Sequence, residues 1–356
     1  MFNPQRLSLA RKRRRLSSKG FAELIGMSPV TVTRLETGHN EPDPTTVDLI
    51  AEALRFPKEF FYGEDIDDLE KGAASFRSLS SMTARERDAA LASGSLAYLL
   101  SDYVSERFNL PEPRLIDLSH ERDPAAAART IRQEWALGEQ PISSMIKLLE
   151  SKGVRVFSLA ENTKNVDAFS CWRNGLPYVF LNTFKSAERS RLDAAHELAH
   201  LVLHKHGGPQ GRDAELEANS FASSFLMPKA DVLSRIPFVS RLDDILAAKR
   251  RWGVSTAALT YRLHKLGVLS DWQYRTFCIQ INQRGYRVNE PNGLPREESV
   301  LWKKVFTELW ADRISRSQVA SQLHLPADEL ENLVFGLTSD IIPPERAKGR
   351  PTLKAV

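Results

Sequence analysis

Two histidines and a glutamate within five residues carry the strongest chemical signal in the chain. The stretch Arg191–His204 contains His196, Glu197 and His200 in the pattern H-E-x-x-H. Nothing in it breaks a helix, and its Ala, Leu, Glu and Arg residues favour one. On a helix His196 and His200 lie one turn apart on one face, so both imidazoles can reach a single metal ion. Glu197 is turned to the side of that pair, where it can touch a metal-bound water instead of the metal. Leu192, Ala195, Ala199 and Leu203 share the histidine face and would shield an ion from bulk water. Neutral nitrogens on Zn²⁺, with a carboxylate that takes a proton from water, are the apparatus of a zinc hydrolase. The plainer reading is a helix with two core histidines; the residues that follow weigh against it.

A third ligand is the test. A metzincin would supply a histidine ten residues after the first, and His206 occupies that position. That solution needs a glycine at 203 to turn the chain, where Leu203 stands. The alternative is an acid on the next helix, as in the gluzincins. Glu215–Leu226 reads as such a helix, with Glu215, Asn219, Ala222 and Leu226 on one face and Met227-Pro228 ending it. Glu215 is therefore expected to point inward as the third ligand. Asn219, one turn on, would orient a histidine's other nitrogen. Glu217, on the other side, is the second choice. An exposed carboxylate favoured by the helix dipole is the alternative account of Glu215.

The elements that must position these residues are legible upstream. An Ala-rich helix runs from Asp123 to Trp135, and Pro141-Ile142 opens another through Leu149, closed by Gly153. Three β-type runs follow, Val154–Leu159, Val166–Trp172 and Pro177–Asn182, the last two joined through the hairpin signal Asn174-Gly175. Helix, small antiparallel sheet and H-E-x-x-H helix, in that order, predict a compact α+β zinc-peptidase domain whose edge strand could hold an extended peptide. His196-Glu197-Leu198-Ala199-His200-Leu201-Val202-Leu203-His204, with Glu215, Ala218-Asn219, Phe221-Ala222 and Phe225-Leu226-Met227-Pro228, resembles the ImmA/IrrE family of metallopeptidases. So does the strand pair from Val166 through Asn182, and the likeness covers roughly residues 129–228. The resemblance implies a zinc-dependent, gluzincin-like endopeptidase acting on regulatory proteins, often repressors. His196, His200 and Glu215 would bind the zinc and Glu197 would be the general base. Spacing fixes no residue for the oxyanion; Tyr178, His204 and His206 are candidates.

The N-terminus points to a second activity. Arg6, Arg11, Lys12, Arg13, Arg14, Arg15 and Lys19 crowd the first nineteen residues without an acid. A charge run alone is usually a solvated face. Here, however, Ser17 can cap a short helix whose Ala22 stands four before Gly26, the small residue of a tight turn. Ser28 then caps a second helix with Pro29 at its first position. Val32 and Leu35 would face inward, leaving Pro29, Thr31, Thr33 and Arg34 outside. Gly38 ends that helix, and Thr45 caps another running to Leu54. The pattern, from about Pro4 to Gly63, resembles the Xre/Cro-like helix-turn-helix, whose second helix enters the major groove of double-stranded DNA. Such a domain is a common companion of ImmA/IrrE peptidases. Arg34 would lie near a base edge or a flanking phosphate, with Arg11 and Arg14 on the phosphate backbone. Lys19-Gly20 departs from the polar residue that usually starts the family's second helix. A module that only dimerises or docks protein is the alternative.

Composition bounds the rest. At 356 residues the chain has room for several cores, and 42% hydrophobic with 26% charged residues is a globular balance. No run reaches the ~20 apolar residues of a membrane span, and no secretory signal is evident. Two cysteines, Cys171 and Cys278, suggest a reducing cytoplasm and leave no cysteine-rich zinc site. The expected organisation is mainly α and multidomain. Residues 1–63 form an all-α DNA-binding domain, 64–122 an acidic linker and helical connector, and 123–235 the peptidase domain. Residues 236–342 form a helical region with helix-turn-helix-like segments near 243–266 and 317–333, and 343–356 a basic disordered tail. The expected protein is a cytoplasmic regulator, on the nucleoid when bound to DNA, that cuts a protein substrate such as a repressor. A homodimer is compatible with it, a membrane is not. The rival is a transcription factor whose zinc site senses a signal or stabilises the fold.

Overall fold

The structure, a computed structural model, describes residues 1–69, 83–159, 168–206 and 211–338; the tail expected at 343–356 lies outside the described residues.

Helices α1 (Pro4–Arg13), α2 (Ser18–Leu24), α3 (Pro29–Glu36) and α4 (Pro44–Leu54), closed by a 3₁₀ turn at Lys58–Tyr62, make the N-terminal unit. Local chemistry sets their starts. The Ser17 and Ser28 side chains accept from the backbone N–H groups of Gly20 and Thr31, as expected. Helix α4 is capped by Asp43, not Thr45, because Pro44 takes its first position and Asp43 accepts from the Thr46 N–H. Leu7, Phe21, Val32, Leu35, Ile50 and Phe60 bury together beneath them.

Helix α5 (Ala84–Arg107) starts at a Thr83/Glu86 capping box and runs 24 residues. Its Ala92 and Leu96 enter the N-terminal core, whereas Ala90, Leu100 and Val104 enter the central one. Gly94 lets it approach closely, since a Cβ there would lie 2.5 Å from Leu69 Cδ1. The acidic stretch before it is no free tether. Ile66 N–H donates to Gln5 Oε1 at 2.9 Å, and Asp67 pairs with Arg173 at 2.6 Å.

Helices α6 (Pro124–Glu134) and α7 (Met145–Ser151) lead into strands β1 (Arg155–Ser158), β2 (Ala168–Arg173) and β3 (Leu176–Leu181). Helix α7 begins later than its sequence suggested, because Ser144 rather than the Pro141 segment caps it. The β2–β3 hairpin forms as expected, with Asn174 and Gly175 both at positive φ. The sheet is mixed rather than wholly antiparallel. Its order is β1-β3-β2, and β1 runs parallel to β3. Of the expected strand Val166–Trp172, residues 166 and 167 lie outside the described residues.

Helix α8 (Ala187–Leu203) crosses β2 and β3 and packs on α9 (Arg212–Leu226), which also covers α6. The remaining helices are α10 (Lys229–Arg235), α11 (Leu242–Ala248), α12 (Thr256–Lys265), α13 (Asp271–Gln283), α14 (Val300–Ala311), α15 (Arg316–Gln322) and α16 (Ala327–Val334). Helix α12 is tied to the end of α9 through Arg262, which donates to Met227 O at 2.9 Å and Ser224 Oγ at 3.0 Å. Lys249, where a helix-turn-helix carries a small residue, is 1% exposed and pairs with Glu290 and Glu188. The α15–α16 segment packs on the N-terminal unit: Glu329 on α16 meets Arg13 and Arg14 of α1. No described helix is long and apolar enough to cross a membrane.

Candidate metal centre

Ser186 caps α8, and seventeen unbroken helical residues then bring His196 and His200 to one face. Helix α9 packs along that face and delivers Glu215 from its first turn. His196 Nε2 and His200 Nε2 lie 3.1 Å apart. The two Glu215 oxygens lie 3.4 Å from His196 Nε2 and 3.5 Å from His200 Nε2. Donors bonded at ~2.0–2.1 Å to one tetrahedral ion lie roughly 3.3 Å from one another. The three residues, all partly buried, therefore fit a metal ion, and they form the one such group of three among the described residues.

Electrostatics agree with that geometry. Burial would push the Glu215 carboxyl up, but the hydrogen bonds and charges of His196 and His200 outweigh it and hold the group well below the carboxylate range. Burial would lower His196; its contact with Glu215 and the nearby Glu197 charge leave it raised instead. Each of the two groups thus favours the charged form of the other.

Glu197 is 2% exposed and stands outside the ligand group. Ser170 Oγ on β2 donates to its Oε2 at 2.7 Å. The sequence reading missed this serine, which strand alternation alone does not distinguish.

Asn219 does not reach a histidine. It is exposed on α9, and the outward nitrogen of His200 is met by another residue. His200 Nδ1 and His204 Nδ1 lie 2.9 Å apart, and His204 Nε2 lies 3.1 Å from Glu217 Oε2. If His200 Nε2 is to offer a lone pair, its Nδ1 must carry the proton. His204 Nδ1 then accepts, and His204 Nε2–H donates to the Glu217 carboxylate. The signal was present, since His196, His200 and His204 recur at intervals of four. His206 is turned away and pairs with Asp117 at 2.6 Å. Tyr178 is fully buried in the sheet, on Ser101 Oγ.

The expected DNA contacts divide. Pro29, Thr33 and Arg34 are exposed on α3 and Thr31 is half-buried, while Val32 and Leu35 point inward. Two of these hydroxyls are used locally: Thr33 Oγ1 donates to Pro29 O, and Thr31 Oγ1 bonds Ser28 Oγ. Arg11 and Arg14, expected on the phosphate backbone, instead engage protein partners. Arg11 makes a two-pronged pair with Glu36, at 2.6 and 3.1 Å, and donates to Leu16 O. Arg14 donates to Glu329 and Leu54 O, both at 2.7 Å, and lies over the Phe56 ring. Helical rotation carries both guanidiniums onto protein partners, so neither faces outward as a phosphate contact.

Comparison with known families agrees with both units. Residues 149–264 match the IrrE N-terminal-like domain of the M78 peptidases, and residues 7–61 match the helix-turn-helix family. No curated protein matches the chain. The chain carries an N-terminal helix-turn-helix domain, of a kind that supports DNA binding, and a central ImmA/IrrE-type, metallopeptidase-like domain.

Proposed function

We propose that this chain is a cytoplasmic DNA-binding regulator whose central domain is a zinc-dependent endopeptidase that cuts a regulatory protein such as a repressor. The observation that carries the reading is the convergence of His196, His200 and Glu215 with Glu197 beside the group but outside it. The three hold the ion. When bound, zinc supplies a Lewis acid that polarises the scissile carbonyl and draws the pKa of water towards ~7. Glu197 accepts the proton of the attacking water on its carboxylate and returns it to the leaving amine. Ser170 Oγ donates to one oxygen of that carboxylate and holds its orientation. His204 and Glu217 hold the His200 ring in the tautomer that offers Nε2. Among the described residues strand β2 is an edge of the sheet beside α8, where an extended peptide can add as a further strand. On the DNA-binding domain, Pro29, Thr31, Thr33 and Arg34 form the face offered to the major groove.

The test is Glu197→Gln in the zinc-loaded full chain incubated with candidate repressors. The variant should keep its zinc and lose most cleavage, whereas Glu215→Gln should weaken zinc itself. Cleavage that survives Glu197→Gln, or zinc lost with it, overturns the assignment. The depth of Glu197 favours one rival, a regulator whose metal site senses or stabilises without proteolysis. That rival predicts bound zinc and no cut product from any substrate.

A further inference from the structure

Beside the N-terminal half of α8, away from the ligand face, lies a cleft of about 570 Å³. That is within the ~300–1,000 Å³ of small-ligand sites. Its floor is Arg191, only 5% exposed. One arm of that guanidinium donates to Ile142 O at 2.8 Å and Trp252 O at 3.3 Å, and the other pairs with Glu297. Its Nε has no hydrogen-bond partner. Room for it depends on Gly253, at φ +64°, where a Cβ would lie 2.7 Å from that Nε. Glu297 is an anion supplied by the chain itself. Its other oxygen accepts from Ser144 Oγ at 3.0 Å and Ile146 N at 2.9 Å.

Above this floor three cations converge from different elements: Lys147 on α7, Arg250 in the 3₁₀ turn at Lys249–Arg251, and Lys303 on α14. All three are exposed and none makes an ion pair among the described residues. Glu297 and Glu298, the two carboxylates of the lining, cannot neutralise Arg191 and this rim of three together. No aromatic ring lines the cleft, so recognition there rests on charge and not on stacking. A duplex fits less well, since the three cations converge on one enclosed cleft and do not run as a track along successive phosphates.

We propose that this cleft binds a small phosphate-bearing ligand. Its oxygens engage Lys147, Arg250 and Lys303, and Arg191 reads its arrival through competition with Glu297. Arg191 precedes His196 by five residues on the same helix, a rise of about 7.5 Å. The cleft and the metal centre are therefore separate sites on one rigid element. Binding there does not depend on the peptidase reading.

Calorimetric titration of the zinc-loaded full chain with inorganic pyrophosphate, against sodium chloride of matched ionic strength, tests the site. The expected result is saturable binding of one equivalent per chain. Lys147→Gln/Arg250→Gln/Lys303→Gln should weaken it about tenfold or more, as loss of charge-assisted contacts requires. Lys304→Gln, the neighbouring lysine outside the lining, should leave it unchanged. The triple variant changes only exposed side chains and should unfold at the wild-type temperature. Glu197→Gln should bind as wild type, so a failed peptidase assignment leaves this result intact. No saturable binding overturns the proposal. So does binding unchanged in the triple variant, which would place the anion elsewhere, including at the metal. Salt-sensitive duplex binding lost in that variant, without pyrophosphate binding, would make the cleft a DNA-backbone track and overturn it equally.

Discussion

Glu329→Ala is expected to loosen the docking of the DNA-binding domain on the body of the protein without disturbing the metal centre. The Glu329 carboxylate is 1% exposed and receives Arg13 Nε and Arg14 Nη1, each at 2.7 Å. A hydrogen bond to a charged group contributes about 1.5–3 kcal/mol, and removing one partner of a buried pair costs about 3–5 kcal/mol. Arg14 softens the loss. It keeps Leu54 O and Arg55 O as acceptors, lies over Phe56 and is 21% exposed, so water can reach it. The expected cost is therefore at the low end, about 3 kcal/mol, or roughly a 150-fold rise in the population with α1 undocked. Apolar contacts of Leu325, Ala92 and Leu96 with the N-terminal core remain, so the domain should open more often without separating completely. Amide hydrogen exchange reads this directly. Protection should fall in α1 and α16, while α8 and β3 keep theirs and zinc stays bound. A change below about 0.5 kcal/mol, or one spread evenly over the central domain, would refute the clamp.

His204→Ala and Glu217→Ala should each lower zinc affinity about 10–100-fold, measured by chelator competition; unchanged affinity would remove the tautomer argument. Arg34→Ala should weaken duplex binding, by about 1–3 kcal/mol if the guanidinium reads a base, with stability unchanged. Arg11→Ala should instead destabilise the domain through the lost Glu36 pair and leave the salt slope of binding alone; a slope reduced by about 0.9 would restore it as a phosphate contact. The sign of the pH response follows from the His196–Glu215 pair. A raised His196 contributes stability that is complete below its ordinary value of 6.5 and lost as pH rises through its folded value. A depressed Glu215 contributes stability that is complete above its ordinary 4.5 and lost as pH falls through its own folded value. Metal-free protein should therefore melt highest between those two limits. Zinc affinity should begin to fall on acidification while pH is still above 6.5, because protons compete for His196. A flat melting profile across that range would contradict the pairing.

What the sequence could not supply is long-range in each case. The ligand trio was legible because two of its members are one turn apart and the third starts the next helix, so local periodicity places all three. Asn219 failed by the same periodicity. It lies one turn from Glu215, but it falls on the exposed edge of α9, while Ala218 and Ala222 beside it are the residues buried against the body. The parallel pairing of β1 had no local signature, because a strand's own residues do not name its neighbour. Arg11 and Arg14 were legible as charge but not as direction. The carboxylate that takes Arg14 lies 315 residues away. The central consequence concerns α5. Its Ala89-Ala90-Leu91-Ala92-Ser93-Gly94-Ser95-Leu96-Ala97 has no polar stripe, and a helix small or apolar all round is buried on every side. That composition tells against reading residues 64–122 as a mere linker and connector. A helix that must bury its whole circumference needs a core on each flank, and here one flank is the DNA-binding domain and the other is the domain that carries the metal ligands. The two cores share a wall, so a change at either side has a packed route to the other.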